Sequence, residues 1–128
     1  SDILDKFFYT YAPEYAPWCL EIHYMSYLLK VNSAPSKSDL EKMVERYLDS
    51  DTNPINILFS PDFIEKYKKL CLKQLEKYRS MGAVDAQTYI LKFWNTWDNY
   101  SLSVIYMGFF YYIYSVYFWI YRMNNRAL

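Results

Sequence analysis

His23 is the single histidine of the chain, and Cys19 stands one helical turn before it. A thiol and an imidazole at i and i+4 share a helix face, which is the placement a nucleophilic cysteine needs if the ring is to take its proton. The residues around the ring, Cys19, Leu20, Met25 and Ser26, supply no carboxylate to orient it, so the pair reads as structural. The acidic residues are scattered and show neither E-x-x-H nor H-E-x-x-H spacing, which removes the di-metal bundle and zincin chemistries. Cys19 and Cys71 lack C-x-x-C spacing and read as two small apolar residues in a reducing compartment, with a single bridge between them left open. Asn99-Tyr100-Ser101 matches a glycosylation sequon, but it abuts a hydrophobic stretch and three-residue motifs arise often by chance. The expectation is a chain without catalytic residues, metal site, cofactor or evident small-molecule substrate.

Composition narrows the class further. Only Gly82 and Gly108 are glycine, so hairpins, phosphate-cradling loops and dinucleotide fingerprints lack the residue they depend on. Aromatics make up 22% of the chain, sixteen of them tyrosine, more than a core of this size buries with every hydroxyl paired. Many of these rings must face water, a membrane interface or a partner protein. Fourteen basic and fourteen acidic side chains cancel, which leaves no field to attract nucleic acid. The acids all precede Asn99, whereas Arg122 and Arg126 alone carry charge after it. Asp2 and Asp5 stand where a targeting peptide would be basic.

The periodicity predicts an all-α protein: a domain of four to five helices over residues 1–98, a hydrophobic helix over 99–121 and a short basic tail over 122–128. After the breaks at Pro13 and Pro17, Trp18, Ile22, Met25 and Leu29 draw one stripe on a helix reaching Val31. Ser38 and Glu41 form an S-x-x-E capping box for a helix that turns Leu40, Met43, Val44, Tyr47 and Leu48 inward and ends near Asp49. Residues 50–60 read as an extended connection or one helical turn. Ser60-Pro61-Asp62 opens a long helix whose buried stripe is Ile64, Tyr67, Cys71, Leu75 and Tyr78, closed by Gly82. A further helix is predicted from Val84 to Trp97, with Ala86, Ile90, Phe93 and Trp97 on one face.

Between Asp98 and Arg122 lie 23 residues without a charge, about 35 Å of helix and enough to cross a bilayer. Leu102, Ile105, Phe109, Ile113, Val116 and Ile120 form an apolar stripe, and Ser103, Tyr106, Tyr114, Tyr117 and Tyr121 form a hydroxyl-bearing stripe beside it. One face suits lipid and the other suits neighbouring transmembrane helices, because hydroxyls inside a bilayer seek partners. Trp119, Tyr121, Arg122 and Arg126 then resemble an interfacial belt with its basic flank. The competing reading is a central helix wrapped on all sides by the rest of the domain.

The order of elements before residue 98 resembles the helical domain of regulators of G-protein signalling. Leu20-Glu21-Ile22-His23-Tyr24 is similar to that family's E-N-I-x-F-W helix, Pro54-Ile55-Asn56-Ile57 to its I-N-I connection and Val84-Asp85-Ala86-Gln87 to its F-D-x-A-Q helix. The asparagine of E-N-I has no counterpart beside Glu21, the F-W pair is missing and the third motif is one residue short. The resemblance implies a GTPase-activating protein that buttresses a Gα subunit. The residues themselves lead instead to a non-catalytic, single-span accessory subunit whose partners are lipid and other membrane proteins. An energy-transducing organellar assembly is the expected host, such as a respiratory or ATP synthase complex of the mitochondrial inner membrane.

Overall fold

A computed structural model describes residues 2–8, 10–49, 51 and 53–126. These residues are all-α and contain no strand. The helices are α1 (Asp2–Phe7), α2 (Leu20–Lys30), α3 (Lys37–Leu48), α4 (Pro54–Leu58), α5 (Pro61–Met81), α6 (Ala83–Leu91) and α7 (Trp97–Arg126), with a 3₁₀ turn at Trp94–Thr96. The short helices α1 and α4 bring the helices before α7 to six, more than the four to five that periodicity predicts, because neither is long enough to display a repeat. The end of the basic tail, residues 127 and 128, lies outside the described residues.

The centre of the domain is α2. His23, Tyr24, Met25, Ser26, Tyr27 and Leu28 are consecutive and all buried, so this helix is covered on nearly every side. Periodicity predicts a single stripe through Trp18, Ile22, Met25 and Leu29, and of these only Met25 is fully enclosed. The tyrosines, serine and histidine between them disguise a central helix as an amphipathic one. Around α2, the inward faces of α3 (Leu40, Met43, Val44, Tyr47, Leu48) and α5 (Ile64, Cys71, Leu75, Tyr78) close the core, with Ala86 and Ile90 of α6.

The helix starts follow local chemistry. Ser60 accepts a hydrogen bond from the Phe63 amide at 3.3 Å, and Pro61 occupies the first turn of α5, where its missing N–H costs nothing. Gly82, at φ +80°, is both the end of α5 and the start of α6, a backbone conformation that a side chain would strain. The capping box of α3 is Ser36 with Asp39, not Ser38 with Glu41: the Asp39 amide donates to Ser36 Oγ at 3.2 Å, and the Ser36 amide donates to the Asp39 carboxylate at 2.8 Å. Both registers fit the S-x-x-acid pattern. The earlier one lengthens the helix by Lys37 and Ser38 while still closing both hydrogen bonds of the box.

The helix predicted over Val84–Trp97 divides. α6 ends at Leu91, and the chain makes the 3₁₀ turn before α7 begins. That break leaves Phe93 exposed and seats Trp97 edge-on against Phe8, with ring centroids 6.0 Å apart. It also redirects the chain so that α7 starts against the core.

Candidate membrane or partner-helix face

α7 runs past the predicted 99–121 limits on both sides and is about 45 Å long. Its stretch within Trp94–Arg126 is long and apolar enough to cross a membrane, and almost none of it is buried. The reading in which the domain wraps this helix therefore fails: Val104 is the sole fully buried residue of α7, and from Phe109 to Arg126 every residue is exposed. The domain already spends its covering helices on α2.

The first three turns of α7 dock on the domain through a face that the sequence reading did not single out. The Tyr100 hydroxyl hydrogen-bonds to that of Tyr47, Ser101 Oγ donates to the Pro17 carbonyl at 2.6 Å, Val104 is buried, and Gly108 lies against Pro54. A Cβ added at Gly108 would stand 3.6 Å from Pro54 Cγ, so the small residue allows α4 close approach. Asn53 holds α4 in that place. Fully buried, it donates from Nδ2 to the Tyr47 carbonyl at 2.8 Å and accepts from the Ile55 amide at 3.0 Å. The signal was present in the sequence as Ser101 and Gly108, seven positions apart on one face, but small residues among tyrosines read as interruptions of an anchor.

Each predicted face residue is exposed: Leu102, Ile105, Tyr106, Phe109, Ile113, Tyr114, Val116, Tyr117, Ile120 and Tyr121. At about 100° per residue, the Leu102-to-Ile120 apolar stripe lies roughly 145° round the helix from Val104, directed away from the domain. The hydroxyl stripe lies on the flank between the two. Ser103 and Ser115 satisfy their hydroxyls by donating to carbonyls one turn back, Asn99 at 2.7 Å and Tyr111 at 2.9 Å. Tyr106, Tyr114, Tyr117 and Tyr121 make no such bond among the described residues. Tyr114 and Phe118 stack at 6.2 Å, and the Arg122 guanidinium sits 4.7 Å from the Phe118 centroid, a cation–π contact at the first basic residue of the tail.

The thiol and imidazole lie inside the domain. His23 is fully buried, its ring 5.3 Å from that of Tyr47 and 5.8 Å from that of Trp18, and neither ring nitrogen makes a hydrogen bond of good geometry. Burial lowers its pKa to about 4, although the nearby backbone of Tyr15 and Trp18 opposes the shift. Burial raises the Cys19 thiol to about 12. Both shifts disfavour the thiolate and imidazolium that a cysteine–histidine nucleophile would use. Cys19 and Cys71 are free and line one cleft with Tyr47, Tyr67, Gln74 and Tyr100. Among the described residues no group of three or more His, Cys, Asp or Glu side chains gathers as a metal site would require. Comparison with family models, with curated proteins and with solved structures finds no match to this chain.

Proposed function

We propose that the protein is a non-catalytic helical subunit, anchored by α7 in a membrane, whose work is to hold contacts inside a larger membrane assembly. The observation that carries this reading is the exposure of α7 beyond Gly108, where an uncharged aromatic helix stands free of its own domain. In water such a surface would be far larger than a soluble monomer leaves open. Lipid satisfies the stripe facing away from the domain. The tyrosine flank calls for acceptors from neighbouring helices, because a phenol hydroxyl inside a bilayer is costly to leave unpaired. An energy-transducing organellar complex is the host we favour, on the general ground that such assemblies are rich in small single-span subunits.

The test is extraction followed by co-purification. The protein should stay with membranes through an alkaline carbonate wash and leave them in mild detergent together with other membrane proteins. Release by carbonate, or a monodisperse monomer in plain buffer, sinks the proposal. Addition of the detergent-solubilised chain to Gα subunits should leave GTP turnover unchanged, and acceleration would favour the GTPase regulator instead.

A further inference from the structure

The free part of α7 is shorter than the membrane it would cross. Counted from Phe109, from which every residue of α7 is exposed, the uncharged stretch to Tyr121 is about 20 Å long, against a hydrocarbon core of about 30 Å. Residues 102–108 can supply the missing length, since Leu102, Ile105 and Tyr106 are exposed on their outer side. Their inner side is covered by the domain. Lipid that rises along these turns must therefore meet whichever domain elements lie at the same height.

Those elements are α4 and the start of α5. Gly108 packs on Pro54, which puts α4 at the exit of α7. α5 borders the start of α7: Gln74 and Tyr78 line one cleft with Trp97 and Tyr100, and Tyr67 lies beside the Tyr47–Tyr100 hydroxyl pair. The start of α5 adjoins α4 through Phe63, whose ring stacks on Phe59 just after α4 ends. At this end the domain is apolar where it should be polar. Ile57, Leu58, Phe59 and Phe63 are each 40–42% exposed, and Phe59 and Phe63 stack at 4.4 Å. These four large apolar side chains fall within seven positions, at the end of α4 and the start of α5.

We propose that Ile57, Leu58, Phe59 and Phe63 form a collar that sinks into the outer layer of the bilayer around the exit of α7, so that the domain is seated in the membrane surface and not held off it on a stalk. The inference rests on the membrane reading of α7. The occupant is the acyl and headgroup boundary of a bilayer: the patch is continuous with the helix that enters lipid, and the shortfall in free length brings lipid up to it. Asp49, Glu65 and Lys68 share a cleft with Phe59, and Asp62 and Lys66 lie close to Phe63 in the chain, so the neighbourhood carries no positive excess and fits a zwitterionic surface better than an anionic one.

The test uses the full chain in phosphatidylcholine nanodiscs with an environment-sensitive fluorophore on one introduced thiol, at Leu58→Cys, Ile113→Cys or Val84→Cys. Cys19 and Cys71 are buried and leave the introduced thiol as the reactive one. Val84, exposed on α6, reports the aqueous side. Nitroxides placed at shallow or deep positions of the lipid chains then measure depth. The expected result is at least twofold quenching at 58 by the shallow nitroxide, strongest quenching at 113 by the deep one, and none at 84. Quenching at 113 with position 58 as silent as 84 overturns the collar and leaves the anchor standing. Silence at 113 overturns the anchor and, with it, the length argument for the collar, whatever position 58 shows.

Discussion

The hydroxyls of Tyr47 and Tyr100 hydrogen-bond to one another, joining α3 to α7 just before α7 leaves the domain. Tyr47 is fully buried, and burial pushes its phenol far above the ordinary tyrosine range, so the pair is neutral at every physiological pH. Tyr47→Phe or Tyr100→Phe should each cost about 1 kcal/mol, and the double variant less than the sum, since both changes remove the shared bond while Tyr47→Phe also takes a partner from Tyr67. Reversible denaturation of the full chain in detergent micelles measures the cycle, and strictly additive losses would mean that the two hydroxyls act independently.

Gly108 separates two effects of side-chain size. Gly108→Ala puts a methyl at ordinary contact distance from Pro54 and removes a poor helix former, so stability should hold or rise by up to about 1 kcal/mol. Gly108→Leu carries three further carbons beyond a Cβ already in contact with Pro54 and should loosen α7 from α4. Faster proteolysis between residues 97 and 108 in micelles would register the loosening, and equal cleavage of both variants would show that α4 does not clamp the helix.

The start of α3 offers a comparison within three residues. Ser36→Ala removes the hydroxyl that accepts from the Asp39 amide and should cost about 1 kcal/mol. Ser38→Ala, at the second position of the same helix, should change stability by less than about 0.5 kcal/mol. A reversed ranking in thermal melts would restore the Ser38 box that the sequence suggested.

His23 should make the fold sensitive to mild acid. Its folded pKa, about 4, lies below the value near 6.5 of an unfolded histidine, so the unfolded chain binds the proton first as pH falls. The stability that neutral His23 contributes is complete above about pH 6.5, declines toward pH 4 and levels off below it. The whole loss is on the order of 3 kcal/mol. Carboxylates such as Asp39, held below the ordinary carboxylate range by its hydrogen bonds with Ser36, respond to acid alike in any variant. The difference between the native chain and His23→Leu therefore isolates the imidazole, and parallel stability–pH curves for the two would refute its role.

Local chemistry was enough to identify the helices that matter most. The Ser60-Pro61 start, the inward rows of α3 and α5 and the Gly82 boundary are written in neighbouring residues, because caps, proline geometry and 3.6-residue spacing act over one or two turns. The uncharged run ending at Arg122 likewise announces a long apolar helix without any knowledge of what surrounds it. Three features depended on the packed chain. α2 rather than α7 is the enclosed helix, a choice made when α3, α5 and α6 found a surface to cover, and one that a row of tyrosines, a serine and a histidine conceals. The break after Leu91 turns a predicted continuous helix toward the core, where Trp97 meets Phe8 across the whole length of the domain's sequence. The docking of α7 through Tyr100, Ser101, Val104 and Gly108 shortens its free part and brings the apolar tip of α4 beside it. Spacing along a helix reveals which residues share a face, but which face is covered depends on volumes and partners far away in the chain, and those exist only once it has folded.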